Sequence, residues 1–263
     1  MITIEIMGGL GNQLFQIVCL LSYSLKYKIP FYFERVPTKK IDRPFYWDNL
    51  FKSLKPFLKP AINLPIYKEP HFHYSLIPYI EEPFKLFGYF QSYKYFKENE
   101  ESIFRLLKIR ETQKLFKASD SISLHFRIGD YKDIQEHHPL LTTEYYIKAL
   151  EQLIKDTGKD NWNIIYFFEK KDITLVNKHI DILKKSYPKL TFEPIDNTLC
   201  DWEQMIKMSM CKHNIIANSS FSWWGAYLNP YKSNVYYPKV WFGSAQGVKV
   251  MSDLFPPNWT IIH

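Results

Sequence analysis

The sequence predicts an α/β fold with mostly parallel sheets. Three observations lead there. At the N-terminus an alternating strand pattern passes through a glycine-rich turn into a helical repeat. From Ser121 onward, strand and helix patterns alternate without interruption. One of these strands, residues 162–168, is an almost continuous apolar run, as a central parallel strand covered on both faces requires.

Taken in order, Ile2, Ile4 and Ile6 alternate with Thr3 and Glu5 at the period of a strand. After Gly8-Gly9-Leu10-Gly11-Asn12-Gln13, the residues Leu14, Ile17, Val18, Leu21 and Leu25 recur at helical spacing. A short strand over 29–33 completes a βαβ start. Residues 37–83 are rich in proline, aromatic residues and lysine, which excludes long central helices and predicts irregular chain with short helices around one lobe. Residues 84–87 read as a strand entering the loop Gly88-Tyr89-Phe90-Gln91-Ser92-Tyr93, and 99–116 as a helix carrying Ile103, Leu106, Leu107 and Ile109. A boundary near 118–120 gives an N-terminal lobe, 1–118, and a C-terminal lobe, 119–263.

In the second lobe Ile122, Leu124 and Phe126 alternate with Ser123, His125 and Arg127, and Gly129-Asp130 follow at once. A helix over 143–156 is expected to bury Tyr146, Leu150, Leu153 and Ile154. Then come the strand 162–168, a helix over 173–185, a strand over 190–192, a helix over 201–210 and a strand over 213–217. Asn218-Ser219-Ser220 ends that strand before a helix over 221–228.

Composition sets limits. A chain of 263 residues buries a substantial core in one large domain or two modest ones. Cys19, Cys200 and Cys211 cannot all pair within one chain and match no redox or zinc spacing, so a reducing, cytoplasmic setting is expected. No apolar run approaches the roughly 20 residues that span a bilayer, and no signal-peptide pattern is seen, so a membrane-borne substrate is reached from outside the bilayer. The net charge of +7 favours an anionic partner. The basic residues are scattered among acids with no finger motif or basic helix, which argues against nucleic acid.

In an open parallel sheet, ligands gather beyond the carboxyl ends of the strands. That rule selects three turns. At the first, Gly9 and Gly11 let backbone amides approach a ligand and Asn12 adds a side-chain amide; a purely structural turn is the alternative. At the second, Arg127 can grip a diphosphate through two directed hydrogen bonds, with His125 donating beside it; the alternatives are an Arg127–Asp130 ion pair that stabilises the turn and a purely structural hydrogen bond for His125. At the third, Asn218, Ser219, Ser220 and Ser222 form either an anion cradle or ordinary helix caps. Asp130, Asp133 and Glu136 are the nearest carboxylates, with Asp130 and then Glu136 the candidates to accept a proton from an attacking hydroxyl; Asp130 is alternatively an orienter of Arg127. Trp223 and Trp224 read as packing residues, and His137-His138 has no zinc spacing beside it, so no metal site is expected.

Several of these runs resemble one family. Gly8-Gly9-Leu10-Gly11-Asn12-Gln13-Leu14-Phe15-Gln16, Gly88-Tyr89-Phe90-Gln91-Ser92, His125-Phe126-Arg127-Ile128-Gly129-Asp130-Tyr131 and the long stretch 208–226 are similar, in order, to motifs of the alpha-1,2-fucosyltransferases of glycosyltransferase family 11. Pro238-Lys239-Val240-Trp241-Phe242 and Pro257-Asn258-Trp259 resemble its C-terminal pattern. The resemblance implies a GT-B-like fold of two Rossmann-like lobes facing across a cleft, without a metal-binding acidic motif. It implies an acceptor-side lobe at 1–118 and a nucleotide-sugar lobe at 119–263. By resemblance Arg127 binds the donor diphosphate, His125 and Asp130 complete its motif, and Ser219 and Ser220 approach the nucleotide sugar. The implied reaction is inverting transfer of fucose from GDP-β-L-fucose to a glycan hydroxyl, with no other cofactor. A related enzyme using another deoxysugar, or a carbohydrate- or nucleotide-binding module without activity, are the alternatives. The chain departs from the pattern where Ile128 follows Arg127 in place of a second arginine, and at Glu169-Lys170-Lys171.

Overall fold

The computed structural model describes residues 1–35 and 43–263. The chain divides into two compact units, Met1–Lys114 with Lys249–Pro256, and Leu115–Val248 with Pro257–His263. The expected α/β class with parallel sheets is the one found, since every strand pairing among the described residues is parallel.

In the first unit, β1 (Ile2–Ile4) leads through the glycine turn into α1 (Leu10–Tyr27). Every residue of α1 from Gln13 to Ser24 is buried, so this helix is covered all round, more than a single apolar stripe predicts. Leu25, which the spacing placed on the buried face, is exposed, because the helix has by then emerged from its cover and ends at Lys28 in a left-handed cap. The strand expected over 29–33 is a single bridge, Ile2 to Phe31, followed by β2 (Phe33–Glu34), which pairs with β3 (Leu58–Lys59).

The proline-rich stretch, of which 37–42 lie outside the described residues, holds the short 3-10 helix Lys52–Phe57 and, besides β3, a second strand that its composition hides. This strand, β4 (Ile66–Lys68), flanks β5 (Phe84–Phe87) at the edge of a sheet ordered β1-β5-β4. An edge position tolerates Pro65 and Pro70 on either side. The helix expected over 99–116 breaks at Lys108, whose φ of 55° is left-handed, into α2 (Glu100–Leu106) and α3 (Ile109–Gln113). Residues 249–256, which a boundary at 118/119 leaves with the second lobe, are tied to the first unit: Ser92 Oγ donates to the Asp253 carbonyl at 2.6 Å, and Lys94 pairs with the Asp253 carboxylate.

The second unit holds β6 (Ser119–His125), α4 (Thr143–Thr157), β7 (Asn163–Phe167), α5 (Ile173–Ser186), β8 (Thr191–Pro194), α6 (Asp201–Ser209), β9 (Cys211–Ile215) and α7 (Ser220–Tyr227). Two further strands, β10 (Val235–Pro238) and β11 (Thr260–Ile262), complete a six-stranded sheet ordered β11-β10-β9-β6-β7-β8. Both faces of β6 are covered, so its polar side is buried too: Ser123 accepts a hydrogen bond from Asn214 Nδ2 at 2.6 Å on β9. Ile154 is only partly buried, while Tyr145 and Ala149 join the core instead. The chain steps outward from β6 through β7 and β8, then returns to the other side of β6 with β9, β10 and β11. The reversal falls between β6 and β9, and a crevice opens beyond the carboxyl ends of such a strand pair. Among the described residues, no helix is long and apolar enough to cross a membrane.

Candidate functional site

Two of the turns singled out by the sequence follow the two strands that flank this reversal. Arg127 lies two residues past β6, and Asn218-Ser219-Ser220 lie three to five past β9. Tyr131 ties the two turns together, its hydroxyl donating to the Asn218 carbonyl at 3.1 Å.

The Arg127 side chain is 17% exposed and is paired with both Asp130 and Glu169. Its guanidinium carbon stands 4.6 Å from the centre of the Tyr131 ring, a cation–π contact that fixes the plane of the fork. Gly129 permits the turn: its φ of 41° is left-handed, and a Cβ there would strike the Arg127 and Glu169 side chains. The Gly129 N–H donates to Asp172 Oδ2 at 2.7 Å, and Lys132 pairs with Asp172 Oδ1 at 3.0 Å. Asp172 is only 2% exposed and anchors the turn from below. Ile128 points the other way, into the apolar core.

His125 is buried, with the Tyr146 hydroxyl donating to its carbonyl at 3.1 Å and the Phe221 ring 5.5 Å away. Burial, and then the charge on Arg127, push its pKa down to about 3, so the ring is neutral at any working pH. Its Nδ1 is buried without a hydrogen-bond partner, as is Asn218 Oδ1. Asn218 Nδ2 is satisfied by the Pro139 carbonyl at 2.9 Å.

At the start of α7, Ser219 is the helix cap, accepting from the Phe221 N–H at 3.3 Å. Ser222 is buried and holds the strand end, its hydroxyl bonded to both the N–H and the carbonyl of Ala217. Ser219 therefore does the capping that was its alternative reading, while α7 still presents its first amides at the strand ends. Ser220 is partly buried in the first turn. Trp223 and Trp224 are fully buried packing residues.

Of the expected site residues, His125, Arg127, Asp130, Asn218, Ser219 and Ser220 come together in this unit. Glu136 lies on an exposed turn, its carbonyl accepting from the Ala245 N–H at 2.9 Å, and its carboxylate is not among the groups that pair with Arg127. Asp133 is exposed at the end of the 3-10 turn. The sequence reading names Tyr131 and Glu169 within motifs but gives no role to them, and it does not name Asp172. A signal existed for Glu169 and Asp172, since 169–172 follow the apolar strand and therefore sit at a carboxyl end.

Gly9, Gly11 and Asn12 belong to the first unit and open α1. Gly8 has a φ of 73°, and a Cβ there would strike Asn12. Gly9 supplies no side-chain cap, the first turn carries no acidic residue, and a Cβ on Gly9 would meet nothing within 4 Å. The neighbouring amides are already engaged: Asn12 Oδ1 accepts from Gln91 Nε2 at 2.8 Å, and Gln13 Nε2 donates to the Gly8 and Pro44 carbonyls. Gln16 joins this turn to the 88–92 loop through the Gly88 carbonyl. Much of what looked like ligand-binding amide chemistry thus holds two turns together. Among the described residues, no group of three or more His, Cys, Asp or Glu side chains is placed to hold a metal ion.

Comparison with known proteins places these features in a family. The alpha-1,2-colitosyltransferase of Escherichia coli is 26% identical over 269 aligned residues, covering 89% of this chain and 90% of the relative. The galactoside 2-alpha-L-fucosyltransferase of Caenorhabditis elegans is 27% identical over 302, covering 98% of this chain and 78% of the relative. Among solved structures, the ADP-heptose lipopolysaccharide heptosyltransferase II of E. coli aligns over 99% of this chain and 89% of its own, at 10% identity and a TM-score of 0.49. The family model described as Glycosyl transferase family 11 matches residues 1–263, from the first strand to the last, so this chain belongs to that family of glycosyltransferases.

Proposed function

We propose that this enzyme moves L-fucose from GDP-β-L-fucose to a sugar hydroxyl in α-1,2 linkage, with inversion and without a metal ion. The observation that carries the reading is the Arg127 guanidinium, largely buried and oriented by Tyr131, at the carboxyl end of β6 where the sheet reverses. The names of the relatives, an α-1,2-colitosyltransferase and a galactoside 2-α-L-fucosyltransferase, support the linkage and the deoxysugar.

In this reading the second unit binds the donor and the first is left to acceptor recognition. The acceptor oxygen attacks the anomeric carbon, the bond from that carbon to the phosphate oxygen breaks, and GDP departs carrying the electron pair. Arg127 and the first amides of α7 stabilise the charge that builds on the diphosphate, the task a metal performs elsewhere. His125, neutral throughout, serves as a hydrogen-bonding group and not as a second cation. The hydroxyl proton passes to a carboxylate; Asp130 is the candidate within the site, and its pairing with Arg127 makes it equally the residue that aims the guanidinium. A cytoplasmic site of action belongs to the same proposal.

Colitose is a second reading, favoured by the E. coli relative. It differs from fucose by one hydroxyl, and a site built to hydrogen-bond that group rejects the sugar lacking it by a factor of about 10⁴ or more. Thermal-shift screening of GDP- and UDP-sugars, followed by transfer assays with the sugar that binds, tests both. Stabilisation by GDP-fucose and α-1,2 product support the proposal; stabilisation by a UDP-sugar alone rejects the donor, and binding without transfer or hydrolysis across a broad acceptor panel rejects the enzyme.

A further inference from the structure

Arg127 shares its carboxylate with a second cation. His125 on β6 and Phe167 on β7 are register partners, so the residues two positions further, Arg127 and Glu169, leave the sheet level with one another. The Glu169 carboxylate is divided between two bases: Oε1 pairs with Arg127, and Oε2 pairs with Lys171 Nζ at 2.8 Å. One anionic group thus bridges two cations on the ends of adjacent strands. A phosphate presents two oxygens with nearly the same bite and more charge.

The charge balance sharpens this. Arg127, Lys132 and Lys171 face Asp130, Glu169 and Asp172, three cations against three carboxylates. A diphosphate that meets a neutral cluster gains little until a carboxylate leaves. Asp172 cannot leave, because it is buried and holds both the Gly129 N–H and Lys132. The Glu169 side chain is 43% exposed, on a longer stem than Asp130, and can rotate into water.

We infer that Glu169 is a built-in counter-ion standing where a phosphate of the donor binds, and that Lys171 is the second cation of the clamp. The inference rests on the reading of Arg127 as the diphosphate ligand. Ligand entry then exchanges the Glu169 carboxylate for phosphate oxygens between the same two bases. In the empty enzyme the bridge keeps the cations positioned and discourages stray anions.

Calorimetric titration of GDP, and of inorganic pyrophosphate, into the full-length protein tests this with Glu169→Gln, Lys171→Met and Lys170→Met variants. All three positions are exposed, so the fold is retained and melting temperatures verify it. Glu169→Gln should bind GDP roughly three- to tenfold more tightly, and Lys171→Met should bind it more weakly by a similar factor, as expected for single charges at a partly solvated site. Lys170→Met removes the same charge one residue away and should change affinity by less than about twofold. Unchanged or weaker binding by Glu169→Gln overturns the counter-ion role. Equal losses from Lys170→Met and Lys171→Met overturn the clamp. Absence of GDP and pyrophosphate binding by the unaltered protein, or full binding by Arg127→Ala, removes the underlying reading of the site instead.

Discussion

Arg127 joins charge and geometry most closely in this chain. Its guanidinium is restrained by two carboxylates and an aromatic ring, so little entropy remains to be lost when a ligand binds. Arg127→Ala should lower kcat/KM by about 10²–10³, the effect of losing one donor to a developing anion. Its melting temperature should stay nearly unchanged, since partly exposed ion pairs contribute only about 0–1 kcal/mol each. Kinetics with a verified acceptor beside a thermal melt distinguish this from a structural role. His125 makes the opposite kind of statement. Its folded pKa of about 3 lies below the ordinary 6.5, so the unfolded chain binds the proton first. Its contribution to stability is complete above about 6.5 and is lost as the pH falls toward about 3. Denaturation of His125→Asn across that range should show a shallower acid decline than the parent; an equal slope would assign the decline to other groups. At this scale the sequence was legible for Arg127, Asp130 and His125, which share a strand end. Glu169 and Asp172 could be placed at the carboxyl end of a strand but their partners could not, because a pairing across 42 or 43 positions has no local pattern.

At the scale of elements, both units hold a turn with a carboxylate that accepts from backbone N–H groups. In the second unit the anchor is Asp172. Asp172→Ala would leave the Gly129 N–H without its acceptor and release Lys132, at a cost of about 1–3 kcal/mol in urea denaturation. Asp172→Asn keeps an acceptor and should recover a good part of that. In the first unit the anchor is Glu69, just past β4. Its Oε2 accepts from the Tyr89 and Phe90 N–H groups at 2.8 and 3.0 Å, fixing a loop in which Phe90 has a φ of 49°. Burial outweighs these hydrogen bonds and the Lys249 charge, and pushes the Glu69 pKa up to about 7. The folded state therefore keeps a proton that the unfolded chain releases near 4.5, so this contribution is full below about 4.5 and is lost as the pH rises through about 7. Glu69→Gln should flatten the stability profile between those values, the reverse of the effect at His125; a parallel profile would show that Glu69 is not proton-bound. Most element types in the second unit followed from periodicity, because the central strands β6, β7 and β9 are mostly buried and α4 and α5 each bury one face; β10 and β11 were not anticipated. The first unit was harder. The strand β4 is three residues long among prolines and carries no readable period, and the spacing in α1 announced the helix but not its cover on every side.

For the whole molecule, the alternation of strands and helices announced parallel sheets, since a parallel connection needs a crossover element. It did not announce the order β11-β10-β9-β6-β7-β8, which comes from pairings between distant segments. Nor did it show that residues 249–256 pack with the first unit, because the ties through Ser92 and Lys94 span about 160 positions. The order is what gives the motifs their meaning: it sets the turns after β6 and β9 side by side at the reversal of the sheet, joined by Tyr131. Family membership and the location of the candidate site thus have independent grounds, one in the match over residues 1–263 and one in topology. A crystal structure of the protein soaked with GDP probes their union most directly. The diphosphate should lie against Arg127 at charge-assisted distances of about 2.7–2.9 Å, beside the first turn of α7. GDP seated elsewhere, with Arg127 still closed on Asp130 and Glu169, would refute the site.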